Sequence, residues 1–204
     1  MRGILLGAVR GLNTMKTFAV LLLGAGLSLS ACSAPGPHLQ SAAGAPVEPL
    51  GPHADDLVVL VFSSPDCPIA NAIAPALERL HAQTKAVGGT LYLVHARTDV
   101  TSERAIAHAR EYGLTMPVLL DHEHALVDRL NATVTPEGVV LVRDGDTWRQ
   151  VYQGSVNNLY ASLGNRRDAA TEHWLRDAIA AAAMGGSVTP KYRTPLGCFI
   201  EQMP

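Results

Sequence analysis

Two cysteines, Cys67 and Cys198, are the residues of this 204-residue chain whose type and setting point most directly to chemistry. Cys67 sits in the stretch FSSPDCPIAN, Phe62 to Asn71, just after an apolar run and between Pro65 and Pro68. A cysteine reacts as its thiolate, and an ordinary thiol of pKa ~8.5 is only about 3% ionised at pH 7. A helix starting at Pro68, whose missing N–H costs nothing in a first turn, brings free N–H groups and partial positive charge to the sulfur. Lowering the pKa to about 6.5 would make roughly three-quarters of it thiolate. Ser64 can donate a hydrogen bond to that sulfur. Asp66 acts the other way unless its carboxylate faces solvent. Attack by a single thiolate leaves a mixed disulfide or a sulfenic acid that must be resolved. The residue three positions on is Ala70, so Cys198 in the tail is the internal candidate.

The elements that must hold Cys67 are legible in the pattern. Leu57 to Phe62 (LVVLVF) is a short apolar run with three valines, which reads as a strand buried on both faces. A helix is expected from Pro68, with Ile73, Leu77 and Leu80 on one face, closing at Gly88-Gly89. Thr90 to His95 reads as a strand. Thr101 is a fitting N-cap for a helix ending at Gly113. Pro117 to Leu120 reads as a strand and His124 to Leu130 as a short helix. Val139 to Val142 and Trp148 to Tyr152 flank Asp144-Gly145, a hairpin signal. A last helix is expected from Asp168 to Met184. Alternating strands and helices followed by a hairpin and a helix predict an α/β fold with a mixed central sheet and helices on both faces. Sites in such sheets lie beyond the strand carboxyl ends, where FSSPDCPIAN falls.

Composition excludes some classes. The net charge of −2 gives no basic field for nucleic acid. Arg2 and Arg10 precede the apolar stretch FAVLLLGAGLSLSAC, Phe18 to Cys32, which is short for a spanning helix and suits an export signal. Its ending LSAC resembles the lipobox of bacterial lipoproteins, in which the cysteine, here Cys32, carries lipid. The expected organisation is a signal peptide over 1–32, a Pro/Ala/Gly-rich tether over 33–56, a domain over 57–186 and a tail over 187–204 that carries Cys198. Localisation is then exported and lipid-anchored to a bacterial membrane. With Cys32 set aside, two thiols remain in an exported domain and are weighed as a pair.

The order of elements, with a cysteine at the first strand-to-helix turn, resembles the thioredoxin fold and its redoxin branch, the alkyl hydroperoxide reductase/thiol-specific antioxidant group. Thr135-Pro136 before the hairpin stands where that fold has a cis-proline facing the reactive cysteine. Pro117 to Asp121 and Tyr152-Gln153-Gly154 look like further family strands. Cys67-Pro68-Ile69-Ala70-Asn71 with Gly197-Cys198-Phe199-Ile200 resembles an exported subgroup with a single CP-x-x-N and a late GC-x-I. The resemblance covers about residues 57–200. It implies redox chemistry at Cys67 with Cys198, a substrate groove around Thr135, Pro136, Pro68, Ser64 and Asn71, and no cofactor. The partners implied are protein thiols and disulfides or small peroxides. Two departures stand: C-x-x-A replaces the thioredoxin C-x-x-C, and Leu60 occupies the proline position of the peroxiredoxin P-x-x-x-T/S-x-x-C pattern.

A non-catalytic binding module remains the alternative. In it, a Cys67–Cys198 bridge is a staple. Closing a loop of about 130 residues is worth roughly 5 kcal/mol in the chain-entropy picture. Other chemistry is weaker. His122 and His124 beside Asp121 read as a solvated loop rather than a metal site, and His95 at a strand end reads as packing. Trp148 and Trp174 read as hairpin and helix packing.

Overall fold

The computed structural model describes residues 36–201. The expected signal peptide and Cys32 lie outside them. The strands are β1 (Leu39–Ser41), β2 (Pro46–Val47), β3 (Leu57–Ser63), β4 (Thr90–His95), β5 (Val118–Leu120), β6 (Val134–Thr135), β7 (Glu137–Asp144), β8 (Thr147–Gly154), β9 (Tyr160–Ser162), β10 (Asn165–Arg166), β11 (Tyr192–Arg193) and β12 (Cys198–Phe199). The helices are α1 (Pro68–Ala72), α2 (Ala74–Ala86), α3 (Ser102–Glu111), α4 (Ala125–Leu130) and α5 (Trp174–Ala183). None of the described helices is long and apolar enough to cross a membrane.

Among the described residues, eight strands form one mixed sheet in the order β11-β8-β7-β3-β4-β5-β1-β2. Strands β3, β4 and β5 run parallel, and β7 and β8 add as an antiparallel hairpin. Every residue of β3 is buried because the sheet is covered on both faces. Successive side chains alternate sides. Leu57, Val59 and Val61 pack with Leu77 of α2 and Ile179 of α5. Val58, Leu60 and Phe62 pack with Leu126 and Leu130 of α4. This α/β sandwich, with a central mixed sheet and a late hairpin and helix, is the fold the sequence implies.

Three local expectations are revised. The segment read as a tether is, from residue 36 onward, packed on the sheet. Strand β1 pairs with the β5 edge, and Leu39 and Leu50 are buried in the core. The Trp148 indole donates to Leu50 O at 2.8 Å, and Arg143 binds the Asp56 carboxylate and Ala54 O, so one hairpin pins the whole approach to β3. The helix after Cys67 breaks at Ile73, because Pro75 has no N–H for the next intrahelical bond. The last helix begins at Trp174 rather than Asp168. Ahead of it, the Asn158 carboxamide accepts from the backbone N–H groups of Thr171 and Glu172, which holds this stretch as a loop behind the β9–β10 hairpin.

The tail returns to the sheet. Strand β11 runs parallel to β8, β12 pairs with β6, and Ile200 is buried among the α4-side residues. Two close approaches depend on glycine. Gly154 has φ +132°, and a Cβ there would overlap the Arg193 carbonyl; a Cβ at Gly197 would overlap the Thr135 carbonyl. Gly154→Ala therefore forces β8 from β11. It is expected to destabilise the fold by about 1–3 kcal/mol and to open the tail to protease. Urea unfolding with limited proteolysis checks this; an unchanged midpoint and a resistant tail would show that this contact does not hold the tail.

Candidate functional site

Strand β3 ends at Ser63, and the turn Ser64–Cys67 delivers the sulfur to the carboxyl end of the parallel strands. The turn closes with Cys67 N–H donating to Ser64 O at 3.0 Å, and Cys67 O accepts from Asn71 N–H at 3.0 Å as α1 begins. Cys67 is thus the residue that enters the helix, with Pro68 behind it. Pairing of β12 with β6 sets Cys198 opposite Thr135. The Cys67 thiol donates to Thr135 O at 3.0 Å, and the Thr135 hydroxyl donates to Cys198 O at 3.4 Å. Both cysteines are free thiols, and Cys198 packs against the small cluster that Cys67 forms with Ile69 and Ala70. Cys67 is only 1% exposed. It reaches solvent through a cleft of about 220 Å³ whose walls include Ser64, Arg97, Thr135, Cys198 and Phe199. Phe199 is 86% exposed at its rim.

The two sulfurs are electrostatically unlike. Burial opposes ionisation of Cys67, yet the neighbouring Cys198 side chain and the Ala70 and Cys198 amides outweigh it and hold its pKa below the ordinary value. The Ala70 amide favours the thiolate without the geometry of a full capping bond in the thiol form. Burial pushes Cys198 up, and the Cys67 hydrogen bond and charge push it further, to about 11. The proton of the pair therefore stays on Cys198 while Cys67 ionises. Asp66 does not oppose this as its sequence position threatens. Arg97 lies 3.2 Å and Arg104 2.5 Å from its carboxylate, which turns outward and is neutralised by them.

The other expected groove residues divide. Ser64 and Thr135 line the cleft with the thiols. The Thr135-Pro136 bond is cis, and Pro136 lines a separate small depression with Ile69, Ile73, Tyr160 and Leu196. Asn71 turns inward, donating to Pro65 O at 2.8 Å and meeting His108 Nε2 at 2.9 Å. His108, from α3, was not legible as a site residue; only its place on the buried face of an N-capped helix marks it. His122 and His124 each direct Nε2 to a backbone carbonyl, of Val100 and Ala96.

The family match covers most of this framework. Residues 33–152 match the AhpC/TSA family. The chain belongs to the AhpC/TSA family. Its fold is thioredoxin-like, the redoxin-branch arrangement that the sequence resembles. An uncharacterized conserved protein from Geobacillus kaustophilus superposes with a TM-score of 0.71 at 23% identity, over 84% of this chain and 92% of that one. A hypothetical protein from Sinorhizobium meliloti 1021 gives 0.69 at 25%, over 83% and 92%. A secreted Mycobacterium tuberculosis disulfide oxidoreductase homologous to E. coli DsbE gives 0.51 at 25%, over 71% and 94%. No curated protein matches the chain.

Below the sulfur pair, His95 is fully buried, and its Nδ1 meets Ser63 O at 2.9 Å. Burial lowers its pKa from 6.5 to about 4, helped by the nearby His108 and Arg104. Between those two values the unfolded chain takes a proton that the folded chain refuses, so stability falls as pH falls through this window. The loss is expected to reach about 3 kcal/mol at the acid end. Urea unfolding across the window should show this slope in the wild type and a shallower one in His95→Gln. Equal slopes would mean that other groups carry the acid sensitivity.

Proposed function

We propose that this protein is an exported thiol oxidoreductase in which Cys67 is the reacting thiol and Cys198 its internal partner. The observation that carries the reading is the pair itself. A thiol whose ionisation is favoured stands beside one that keeps its proton, in a cleft at the carboxyl ends of the parallel strands. With a hydroperoxide, the Cys67 thiolate attacks the peroxide oxygen, the O–O bond breaks, and the leaving alkoxide takes a proton to become the alcohol. The sulfenic acid left on Cys67 then condenses with Cys198, releasing water and forming the Cys67–Cys198 disulfide. With a disulfide substrate, Cys67 forms a mixed disulfide and expels one thiolate, and Cys198, after losing its proton, displaces the other. In both cases external thiols return the pair to its reduced state. Ser64 and Thr135 line the substrate entrance. Membership of the AhpC/TSA family supports thiol-based redox chemistry. The Arg2/Arg10, apolar, LSAC order supports export, with Cys32 as the lipid-bearing residue on a bacterial membrane.

The same proximity would also suit a stapling disulfide on a binding module, and the burial of Cys67 favours weighing it. Redox potential separates the two readings, because structural bridges in exported proteins sit below about −300 mV and catalytic ones lie higher. Equilibrating the mature protein in graded glutathione buffers, then alkylating and mapping by mass, should place the Cys67–Cys198 midpoint above about −300 mV. In the same assay Cys67→Ser should abolish oxidant consumption, and Cys198→Ser should leave Cys67 stalled as a sulfenic acid or mixed disulfide. A midpoint far below that limit, with no oxidant consumed by the reduced protein, would make the bridge a staple.

A further inference from the structure

We propose that Asn71 and His108 act together as a positioning bracket for Cys67, holding the reactive turn through the Pro65 carbonyl. The inference rests on the reading of Cys67 as the reacting thiol and adds residues that never touch substrate.

The turn has few backbone bonds of its own. Pro65 and Pro68 bring no N–H, and Asp66 N–H reaches the Ser64 hydroxyl only at 3.4 Å. Pro65 O has one hydrogen-bond donor among the described residues, the Asn71 carboxamide N–H₂ at 2.8 Å. That bond fixes which end of the carboxamide is which. Its oxygen must then face His108, and since that oxygen only accepts, His108 Nε2 carries the proton of the 2.9 Å contact. His108 is itself held in place, buried between the His95 ring at 5.4 Å and the Tyr112 ring at 4.9 Å. A chain of three groups, imidazole to carboxamide to carbonyl, therefore ties the Cys67 turn to α3. A second imidazole works beside it. His95, from β4, donates Nδ1–H to Ser63 O, where the turn begins.

The consequence for the sulfur follows from connectivity. The Pro65–Asp66 peptide stands immediately before Cys67, and Asp66 is drawn outward by Arg97 and Arg104. With Pro65 O held inward and Asp66 held outward, that peptide is tied on both sides. Its orientation aims the Cys67 side chain at the Ala70 amide and at Cys198. Releasing Pro65 O frees the peptide and weakens the contacts that favour the thiolate. Ordinary core packing makes a different demand. A packing histidine is replaceable by any side chain of similar bulk, whereas the bracket requires a donor at the position of Nε2. Gln at 108 can supply that N–H; Leu cannot.

The test is the pH–rate profile for iodoacetamide alkylation of Cys67 in the reduced full chain, read by mass mapping of the Cys67 peptide. Asn71→Ala and His108→Leu should each slow alkylation at neutral pH by about five-fold, the weight of one hydrogen bond, and move the profile to higher pH. His108→Gln should stay within about two-fold of wild type, as a retained donor requires. The Asn71→Ala/His108→Leu double variant should be no slower than either single one, because the two residues act as a unit. A His108→Gln chain as slow as His108→Leu, an additive double variant, or unchanged profiles would overturn the proposal. If His108→Leu does not fold, Asn71→Ala decides: an unshifted profile overturns the bracket and a shifted one supports it. The readout is independent of turnover. Failure to form the Cys67–Cys198 disulfide would remove the redox reading while leaving the alkylation ratios to judge the bracket.

Discussion

Thr135 is the point on which the site turns. Its carbonyl accepts from the Cys67 thiol, its hydroxyl donates to Cys198 O, and its strand pairs with the strand that carries Cys198. Two β pairings far apart in sequence must both form before the sulfurs meet: β3 beside β7, which places the Cys67 turn and the Thr135-Pro136 corner together, and β12 on β6, which lays the tail across them. The second is the weaker of the two, being two residues long. It is reinforced by the buried Ile200 on one side and the Gly197 approach on the other. Without that short strand, Cys67 would lose both its cover and the Cys198 bonds that favour its thiolate.

The asymmetry of the two thiols follows from the same contact. Groups sharing one proton cannot titrate independently. Cys67 lies at a helix entrance beneath the tail, with amides that favour its thiolate, whereas burial raises the Cys198 thiol and the neighbouring Cys67 raises it further. Charges further out are arranged so as not to undo this. Asp66, next in sequence to Cys67, is occupied by two arginines that lie on the surface, where such pairs add little stability but do fix direction. His95 and His108 donate to oxygen atoms, and burial lowers the pKa of each.

Much of this could be read in the residues. LVVLVF is the strand covered on both faces that its pattern suggests, Thr101 does cap its helix by accepting from Arg104 N–H, and Asp144-Gly145 does close a hairpin, with Gly145 at φ +60°. The departures have physical causes. Residues 39–50 carry isolated apolar side chains with no period, so their composition matched a linker, yet Leu39 and Leu50 find places in the core once the β5 edge and the Trp148 indole exist to receive the backbone between them. Helix α5 starts later than the sequence pattern predicts because a single carboxamide, Asn158, takes up N–H groups that a helix would otherwise use.

From the sequence alone came Cys67 as the candidate nucleophile, its place at a strand-to-helix turn, the lack of a second cysteine one helical turn later, and the arithmetic that left Cys198 as its candidate partner. Those follow from local rules: burial periodicity, proline at a helix start, and the need to resolve an oxidised sulfur. Tertiary structure decided that the tail lies on β6, that Asp66 is neutralised, and that Asn71 faces inward to His108 instead of outward to a groove. Each depends on where a distant backbone or side chain ends up, and no spacing between residues 67, 108, 135 and 198 encodes that, because contacts across a sheet are set by strand order and register rather than by distance along the chain.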